Sequence, residues 1–368
     1  VSRLVALIIK EFLTLLKDPK SRFVIIGPPI IQLVVFGYAA TFDLTNVPLA
    51  IYDESNSELS RELIARFDGS PNFQRVATIT HDDQISPLID TKKVIVVLHI
   101  GRQFSRDLYQ SRTTDVQVIV DGRDSNTAMI ANGYADTIIQ NFNVQWARRN
   151  GFPGPPARLQ VRAWFNPNLV SRWFIIPGIV GLLTLVVTMI VTSLSVARER
   201  EQSTFDQLLV TPYRPWEILI GKAVPGFIIG MGEATFIIFV AVFWFQVPLL
   251  GSVITLYTGI ALFLLSAIGV GLMISSLSTT QQQGLLGAFM FLVPAIILSG
   301  FATPIANMPS IVQKLTYLNP MRYFMIILRS VFLEGTPFEL LIDQFWPMAV
   351  IGIVTLGTAA WLFRRRMY

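Results

Sequence analysis

Between Ala223 and Gln313 the sequence holds a single charged side chain, Glu233. A lone carboxyl in so apolar a run is the first residue to examine for chemistry. Burying its charge in hydrocarbon is costly, so it should be protonated, paired or turned toward water. It stands in Gly230-Met-Gly-Glu233-Ala-Thr, whose small residues let a neighbouring helix come close. One role is a contact for cargo or a proton on a translocation path. The others are a structural carboxyl bonded to a nearby Ser or Thr, and a side chain snorkelling from a helix end. The remaining reactive types are sparse. His81 and His99 are the only histidines and neither has a partner at metal-ligand spacing, so both read as ordinary surface or core residues. With no cysteine there is no thiolate metal site and no disulfide. No Gly-x-x-x-x-Gly-Lys-Ser/Thr occurs, which excludes ATP hydrolysis through a Walker phosphate cradle. No Ser/His/Asp constellation stands out, so no enzyme chemistry and no bound cofactor is expected of this chain.

The second feature is a charged stretch, Arg198–Lys222, lying between two long apolar runs. Arg198-Glu199-Arg200-Glu201 leaves the first run, and Ser203 or Thr204 can cap a short helix carrying Phe205, Leu208 and Leu209. Pro212 ends that helix; Pro215-Trp216-Glu217 opens the next, which re-enters the apolar phase. A short amphipathic helix tethered between two spans is built to take a push from a soluble partner and pass it on. Its plainer reading is a solvated loop with interfacial anchors.

The composition sets the class. Of 368 residues, 52% are hydrophobic and 14% charged, against roughly 25% charged in soluble proteins; the chain is membrane-embedded. Residues 1–22 read as an amphipathic helix, with Leu4, Leu7, Ile8, Phe12, Leu15 and Leu16 on one face and Arg3, Lys10, Lys17, Lys20 and Arg22 making it basic. That pattern suits an interfacial helix on anionic lipid, ended by Asp18-Pro19. Residues 23–40 form a first span, kinked or broken near its start by Pro28-Pro29. The long basic lead and the paired prolines argue against a cleaved signal peptide.

Residues 41–172 differ in kind, with fourteen Lys/Arg, fourteen Asp/Glu and both histidines. Strands are expected at Val47–Tyr52, Val94–Ile100 and Val116–Asp121, and helices at Glu58–Phe67, Gln103–Gln110 and Ser125–Arg149, giving an α/β domain large enough for its own core. Residues 173–368 hold five further spans: Trp173–Val196, Val224–Phe245, Leu256–Leu277, one beginning at Gly284–Leu298, and Phe345–Phe363. The charged stretch at about 198–222 separates the second span from the third. A broken segment at about 299–340 reads as short helices dipping into the outer leaflet. Gln281-Gln-Gln283 makes an uncharged turn, either a second partner contact or a plain connection. The expected fold is thus an α-helical polytopic membrane protein, six spans with an extracytoplasmic α/β domain between the first and second.

The flanks 1–22, 198–222 and 364–366 together carry twelve Lys/Arg against six Asp/Glu. The positive-inside rule then places both termini and the central stretch in the cytoplasm. The basic residues hug the edges of apolar runs, where lipid and topology explain them and nucleic acid is not needed.

The whole chain resembles the membrane subunit of type-2 ABC transporters, in particular drug or cation efflux permeases. Lys10-Glu11 with Lys17-Asp18-Pro19 looks like the family's interfacial connecting helix. Asp121-Gly-Arg123-Asp124-Ser-Asn-Thr-Ala128 and Trp164-Phe-Asn-Pro-Asn168 match its recurring external segments, and Asn319-Pro320 with Arg322-Tyr323 its outer re-entrant region. The strongest match is Ser195–Thr204, continuing through Gln207-Leu-Leu-Val210 to Pro212 and Ile218–Lys222; the family usually has Gly where this chain has Ser203. The resemblance implies a permease of an exporter in a bacterial inner membrane, pairing with a second copy or a sister permease on two ATPase subunits that bind ATP and Mg. It implies that Glu199, Glu201, Phe205, Gln207, Leu208, Leu209 and Pro212 form the ATPase-docking surface, and that the external domain meets a periplasmic adaptor. Glu233 stays a candidate for the translocation path on the residues alone. Two other classes stay open on the residues alone. A membrane-anchored ligand sensor would need a cytoplasmic output domain, which the short cytoplasmic segments do not supply. A proton-coupled secondary transporter using Glu233 would be expected to show an inverted repeat.

Overall fold

The computed structural model describes residues 2–39, 44–110, 112–151, 165–166, 170–204 and 214–366. The chain divides into two compact units, Val1–Ala40 with Ala163–Tyr368, and Thr41–Arg162.

The first unit is all helical among the described residues. It comprises α1 (Ser2–Lys17), α2 (Pro19–Ala39), α7 (Ser171–Glu201), α8 (Pro215–Phe243), α9 (Val253–Leu277), α10 (Gln281–Ile297), α11 (Ser310–Leu315), α12 (Pro320–Arg329) and α13 (Ile342–Arg366). Asp18-Pro19 divides α1 from α2 as the sequence implies. Pro28 and Pro29 are carried inside α2 rather than breaking its start, because that helix begins already at Pro19. The hub is α7. Its 31 residues extend about 46 Å at 1.5 Å per residue, beyond the roughly 30 Å of a bilayer's hydrocarbon core, so its last turns can be charged. It packs against α2, α8, α9, α10 and α12. Of its most apolar stretch 78% is buried, against 28% for that of the segment Phe338–Arg365; one is interior, the other peripheral.

Among the described residues, four segments are long and apolar enough to cross a membrane: Ser171–Glu201, Trp216–Phe243, Val253–Leu277 and Phe338–Arg365. Ile25–Tyr38 and Gln281–Ile297 are shorter apolar helices. The core joins Ile176, Ile179 and Leu183 of α7 to Phe263 of α9 and Phe324 and Leu328 of α12, with Phe263 and Phe324 stacked at 4.2 Å between centroids. The short helix α12 packs against the first half of α7, near Gly178 and Gly181; Met321, Phe324, Met325, Ile327 and Leu328 are all buried.

The second unit is an α/β layer. Strands β1 (Val47–Asp53), β2 (Phe73–Ile79), β3 (Val96–Ile100) and β4 (Val116–Val120) form one sheet in the order β2-β1-β3-β4, with β4 antiparallel to β3 and the other pairs parallel. Helices α3 (Glu58–Asp68), α5 (Phe104–Tyr109) and α6 (Ser125–Arg149) cover one face and α4 (Ile85–Asp90) the other. The period of two decides which residues go where: Leu49, Ile51, Val96, Leu98 and Ile100 point to the three-helix face, Ala50, Tyr52 and Val97 to the α4 face. Strand β2 and helix α4 are absent from the sequence reading. In β2 only Phe73 and Ile79 are buried while Gln74, Arg75 and Val76 are exposed, as suits an edge strand, and α4 carries Pro87 within six residues. The Asp121–Ala128 motif is a structural staple. Asp124 caps α6 by accepting from Thr127 N, while Arg123 pairs with Asp121 and donates to the carbonyls of Ile89 and Asp90 at the end of α4.

Candidate functional site

The end of α7 gathers the charges that the sequence singled out. Helix α7 stops at Glu201 because Ser203 takes a left-handed conformation, φ 56°, and the N–H groups of Ser203 and Thr204 turn back to the carbonyls of Arg200 and Glu199. Ser203 thus terminates α7, and the Thr204 hydroxyl also donates back to Glu199 O; the short helix expected after them lies outside the described residues. The glycine usual in the resembling family suits this same position, since only glycine takes such a backbone without steric cost.

Each described charge before that stop has work inside the chain. Arg200 Nη1 donates to the carbonyls of Ser276 at 2.8 Å and Ser278 at 3.1 Å, at the C-terminal end of α9. Glu201 Oε2 accepts from Gln281 N at 2.7 Å, at the N-terminus of α10. A cation at a helix C-terminus and an anion at an N-terminus both complement the helix dipoles. The Gln281–Gln283 turn is completed by Thr280, which caps α10, and by Gln283 Oε1, which accepts from Thr279 N. It is a helix start fastened to α7.

Glu199 is the centre of a buried ion cluster. Lys10 Nζ of α1 donates to Glu199 Oε1 at 2.6 Å. Lys222 Nζ of α8 lies 2.6 Å from Glu199 Oε2, as an ion pair whose angle does not align as a hydrogen bond. Glu11 Oε1 accepts from Lys222 at 3.3 Å and from Lys10 at 3.4 Å, and Lys222 also donates to Ser195 O at 3.4 Å. The side chain of Lys222 is fully buried and those of Glu11 and Glu199 are nearly so, while that of Lys10 is 47% exposed. Half-burial works against the Lys10 charge, yet the bonded Glu199 carboxylate and nearby Glu11 hold its pKa above the ordinary lysine value. The helices come this close because Gly221 leaves a notch for Leu7: a Cβ at Gly221 would meet Leu7 Cδ2 at 2.5 Å. Three helices are thus tied at one point, α1, α7 and α8.

Of the seven residues expected on a docking surface, Glu199 and Glu201 are engaged within the chain as described. Phe205, Gln207, Leu208, Leu209 and Pro212 lie outside the described residues. After them the chain resumes with Pro215 in the first turn of α8, where Arg214 N donates to Glu217 Oε2 at 2.7 Å, as the Pro-Trp-Glu signal implies. Lys10, Glu11, Arg200 and Lys222 form the rest of the assembly and were absent from the expected set. A usable signal existed: Glu11 stands on the stripe Leu7–Glu11–Leu15, an acid at four-residue spacing between two buried leucines. Beside this root opens a cleft of about 250 Å³, walled by Leu15, Ile25, Val191, Leu194 and Leu285 and edged by Arg198.

Glu233 sits in α8, buried, and neither carboxyl oxygen has a hydrogen-bond partner among the described residues. The hydroxyls of Thr184 and Thr188 on α7 are likewise buried and unpartnered. A Cβ on Gly230 would lie 2.6 Å from Thr188 Oγ1, so α7 and α8 touch at this level and Glu233 is one turn further along. The structural alternative, a carboxyl bonded to a neighbouring Ser or Thr, is not the arrangement found. The histidines behave as ordinary residues. His99 stacks on Tyr52 and faces Glu54 and Gln117, His81 bonds its neighbour's carbonyl, and no metal-holding cluster occurs among the described residues.

The other motifs are fastenings. Asn166 bonds both backbone groups of Val170 just before α7. Asn319 caps α12 and donates to Ala295 O at 2.7 Å, and Arg322 stacks on Tyr317 at 4.0 Å.

The sequence comparisons bear on what this assembly belongs to. The profile of the ABC-2 family transporter proteins matches residues 20–361. The chain is a member of the ABC-2 transporter family. This ABC-2 transporter is 42% identical over 366 residues, 99% of each chain, to the probable multidrug ABC transporter permease YbhR of Escherichia coli K12. It is 34% identical to the probable multidrug ABC transporter permease YbhS of the same strain, covering 97% of this chain and 96% of the relative. The linearmycin resistance permease protein LnrN of Bacillus subtilis 168 is 20% identical over 88% of this chain and 90% of its own. An ABC-2 transporter is a multi-pass membrane protein that partners with ABC ATPase subunits, and the apolar helices described above agree with that.

Proposed function

We propose that this chain is the membrane-spanning permease of an ATP-driven exporter in a bacterial inner membrane, moving drugs, cations or other amphipathic cargo outward. ATP and Mg are bound and used by separate ATPase subunits, on which two permeases sit, either two copies of this chain or this chain with a sister permease. Six spans cross the bilayer, α2 and α10 joining the four long apolar segments. Both termini and the stretch 198–222 face the cytoplasm, and residues 41–172 lie outside, available to a periplasmic adaptor.

The observation that carries the reading is the joint of Lys10, Glu11, Glu199 and Lys222. It binds the roots of α7 and α8, the helices on either side of residues 205–213, to each other and to α1. On this proposal Phe205, Gln207, Leu208, Leu209 and Pro212 make the ATPase contact. Glu199 and Glu201 act one step behind it, passing displacement to α8 and α1 and to α10 respectively. Closure of the ATPases then moves several helices together. Glu233 would serve as a polar contact for cargo when α7 and α8 part.

The test is co-purification of the full chain with an ABC ATPase encoded beside it, followed by vanadate-sensitive ATP hydrolysis in lipid. Leu208→Asp/Leu209→Asp, which would bury charge in the partner's groove, should abolish complex formation while leaving the permease folded. A well-folded parent chain that neither holds nor stimulates the ATPase would refute the assignment.

A further inference from the structure

The surface of α1 divides into three sectors. Leu7, Glu11 and Leu15 are buried against the bundle. Val5, Ile9, Leu13 and Leu16 are about half exposed, between 46% and 53%, and form an outward apolar stripe. Between the two sectors run Arg3, Lys10 and Lys17, each seven residues from the next, a spacing that drifts only about 20° per step around a helix. An apolar stripe flanked by a cationic one is the surface a bilayer interface covers, acyl chains against the leucines and phosphates beside the lysines. Lys10 is the residue shared by the two faces. Its ammonium holds Glu199 at 2.6 Å, its side chain remains 47% exposed, and an ammonium has three protons to donate.

We propose that the outward face of α1 binds anionic phospholipid headgroups through Lys10 and Lys17, and that a phosphate at Lys10 competes with Glu199 for its ammonium. The cluster of Lys10, Lys222, Glu11 and Glu199 is neutral as it stands. Drawing Lys10 toward a lipid leaves two buried carboxylates facing one buried ammonium, which loosens α1 from the end of α7. Lipid composition thereby sets how firmly the root of the stretch 198–222 is held. The proposal rests on the reading of α1 as an interfacial helix of the permease.

The chain has no cysteine, so Ala6→Cys and Gln202→Cys, both at exposed positions, give unique spin-label sites on α1 and beyond α7. The labelled full chain is placed in nanodiscs of phosphatidylcholine alone or of equal parts phosphatidylcholine and phosphatidylglycerol. The expected result is a shifted or broadened inter-label distance distribution with phosphatidylglycerol. Lys10→Gln should give one distribution in both lipids, and Lys10→Arg should restore the response. Phosphatidylglycerol retained by the chain, read by native mass spectrometry, should fall about fivefold in Lys10→Gln, as expected for one basic residue at an anionic surface. Identical distributions for the parent in the two lipids, or an undiminished response in Lys10→Gln, would overturn the proposal. Should Lys10→Gln fail to fold, Lys17→Gln, which does not touch Glu199, carries the test: unchanged phosphatidylglycerol retention counts against the lipid site. No ATPase is present in these measurements, so their failure is separable from failure of the exporter reading.

Discussion

Ser203 and Glu199 stand four residues apart and illustrate two ways a side chain serves a helix end. Ser203 is held at φ 56°, a left-handed backbone costing a non-glycine residue about 1 kcal/mol. Ser203→Gly is expected to stabilise the chain by about that amount, read as a higher melting temperature in detergent; a lower one would mean the serine side chain contributes what its backbone loses. Glu199 has the opposite character, since its cluster is stable only while complete. Lys222→Met leaves Glu11 and Glu199 to share Lys10, and breaking a buried pair this way should destabilise by about 3–5 kcal/mol. Adding Glu11→Gln to Lys222→Met rebalances the charge and should recover much of the loss. Equal stability of the single and double variants would show that the ions do not interact as one group.

Among elements, the turn after β4 gives a pH signature independent of the membrane. The Arg123 guanidinium holds the Asp121 carboxyl down to about 2, well below the usual carboxylate range. A folded-state pKa lowered in this way adds stability above the unfolded-state value, and that stability is lost as pH falls from about 4 through about 2. The difference in melting temperature between the parent and Asp121→Asn should therefore be constant near neutrality and shrink across that acid window. A gap that persists at pH 2 would assign the effect to something other than the Asp121 charge. On the other unit, α1 meets α8 through the Leu7–Gly221 notch. Gly221→Val forces the two helices apart and should weaken the ion joint with them. The expected result is the same label-distance response in phosphatidylcholine that phosphatidylglycerol produces in the parent; an unchanged distance would show that the notch does not set the approach.

At the scale of the molecule, the helical unit is organised by α7, and the one intramembrane carboxyl lies where α8 runs beside it. Glu233, with both oxygens unpartnered among the described residues, is a stability cost retained where α7 and α8 meet. Replacing an unsatisfied buried group by an apolar one of similar size removes a penalty of about 1–3 kcal/mol, so Glu233→Met should raise the melting temperature. If Glu233 serves cargo, efflux by the assembled transporter should fall in the same variant. Higher stability with undiminished efflux would make it a dispensable residue.

Hydropathy alone placed most ends of the long apolar helices within a few residues, because transfer free energy is a local property summed along the chain; it missed the start of α8, expected at Val224 and found at Pro215, because the first turns of that helix carry Glu217 and Lys222. The strands β1, β3 and β4 were legible for the same kind of reason, as runs or alternations of β-branched residues. Strand β2 was not, because an edge strand is fastened by its neighbour's backbone and needs little apolar sequence of its own. The Arg198–Glu201 run was visible as charge, and Lys10-Glu11 and Lys222 as parts of separate motifs. Their partners could not be read, since ion pairing between residues 10, 199 and 222 depends on three helices arriving at one point. Sequence determined that charges stand at the root of the stretch between α7 and α8. Tertiary packing, through the glycine notch and the desolvation that makes each ion need the others, decided that Glu199 turns inward to hold three helices together, while the exposed Glu201 fastens the start of α10.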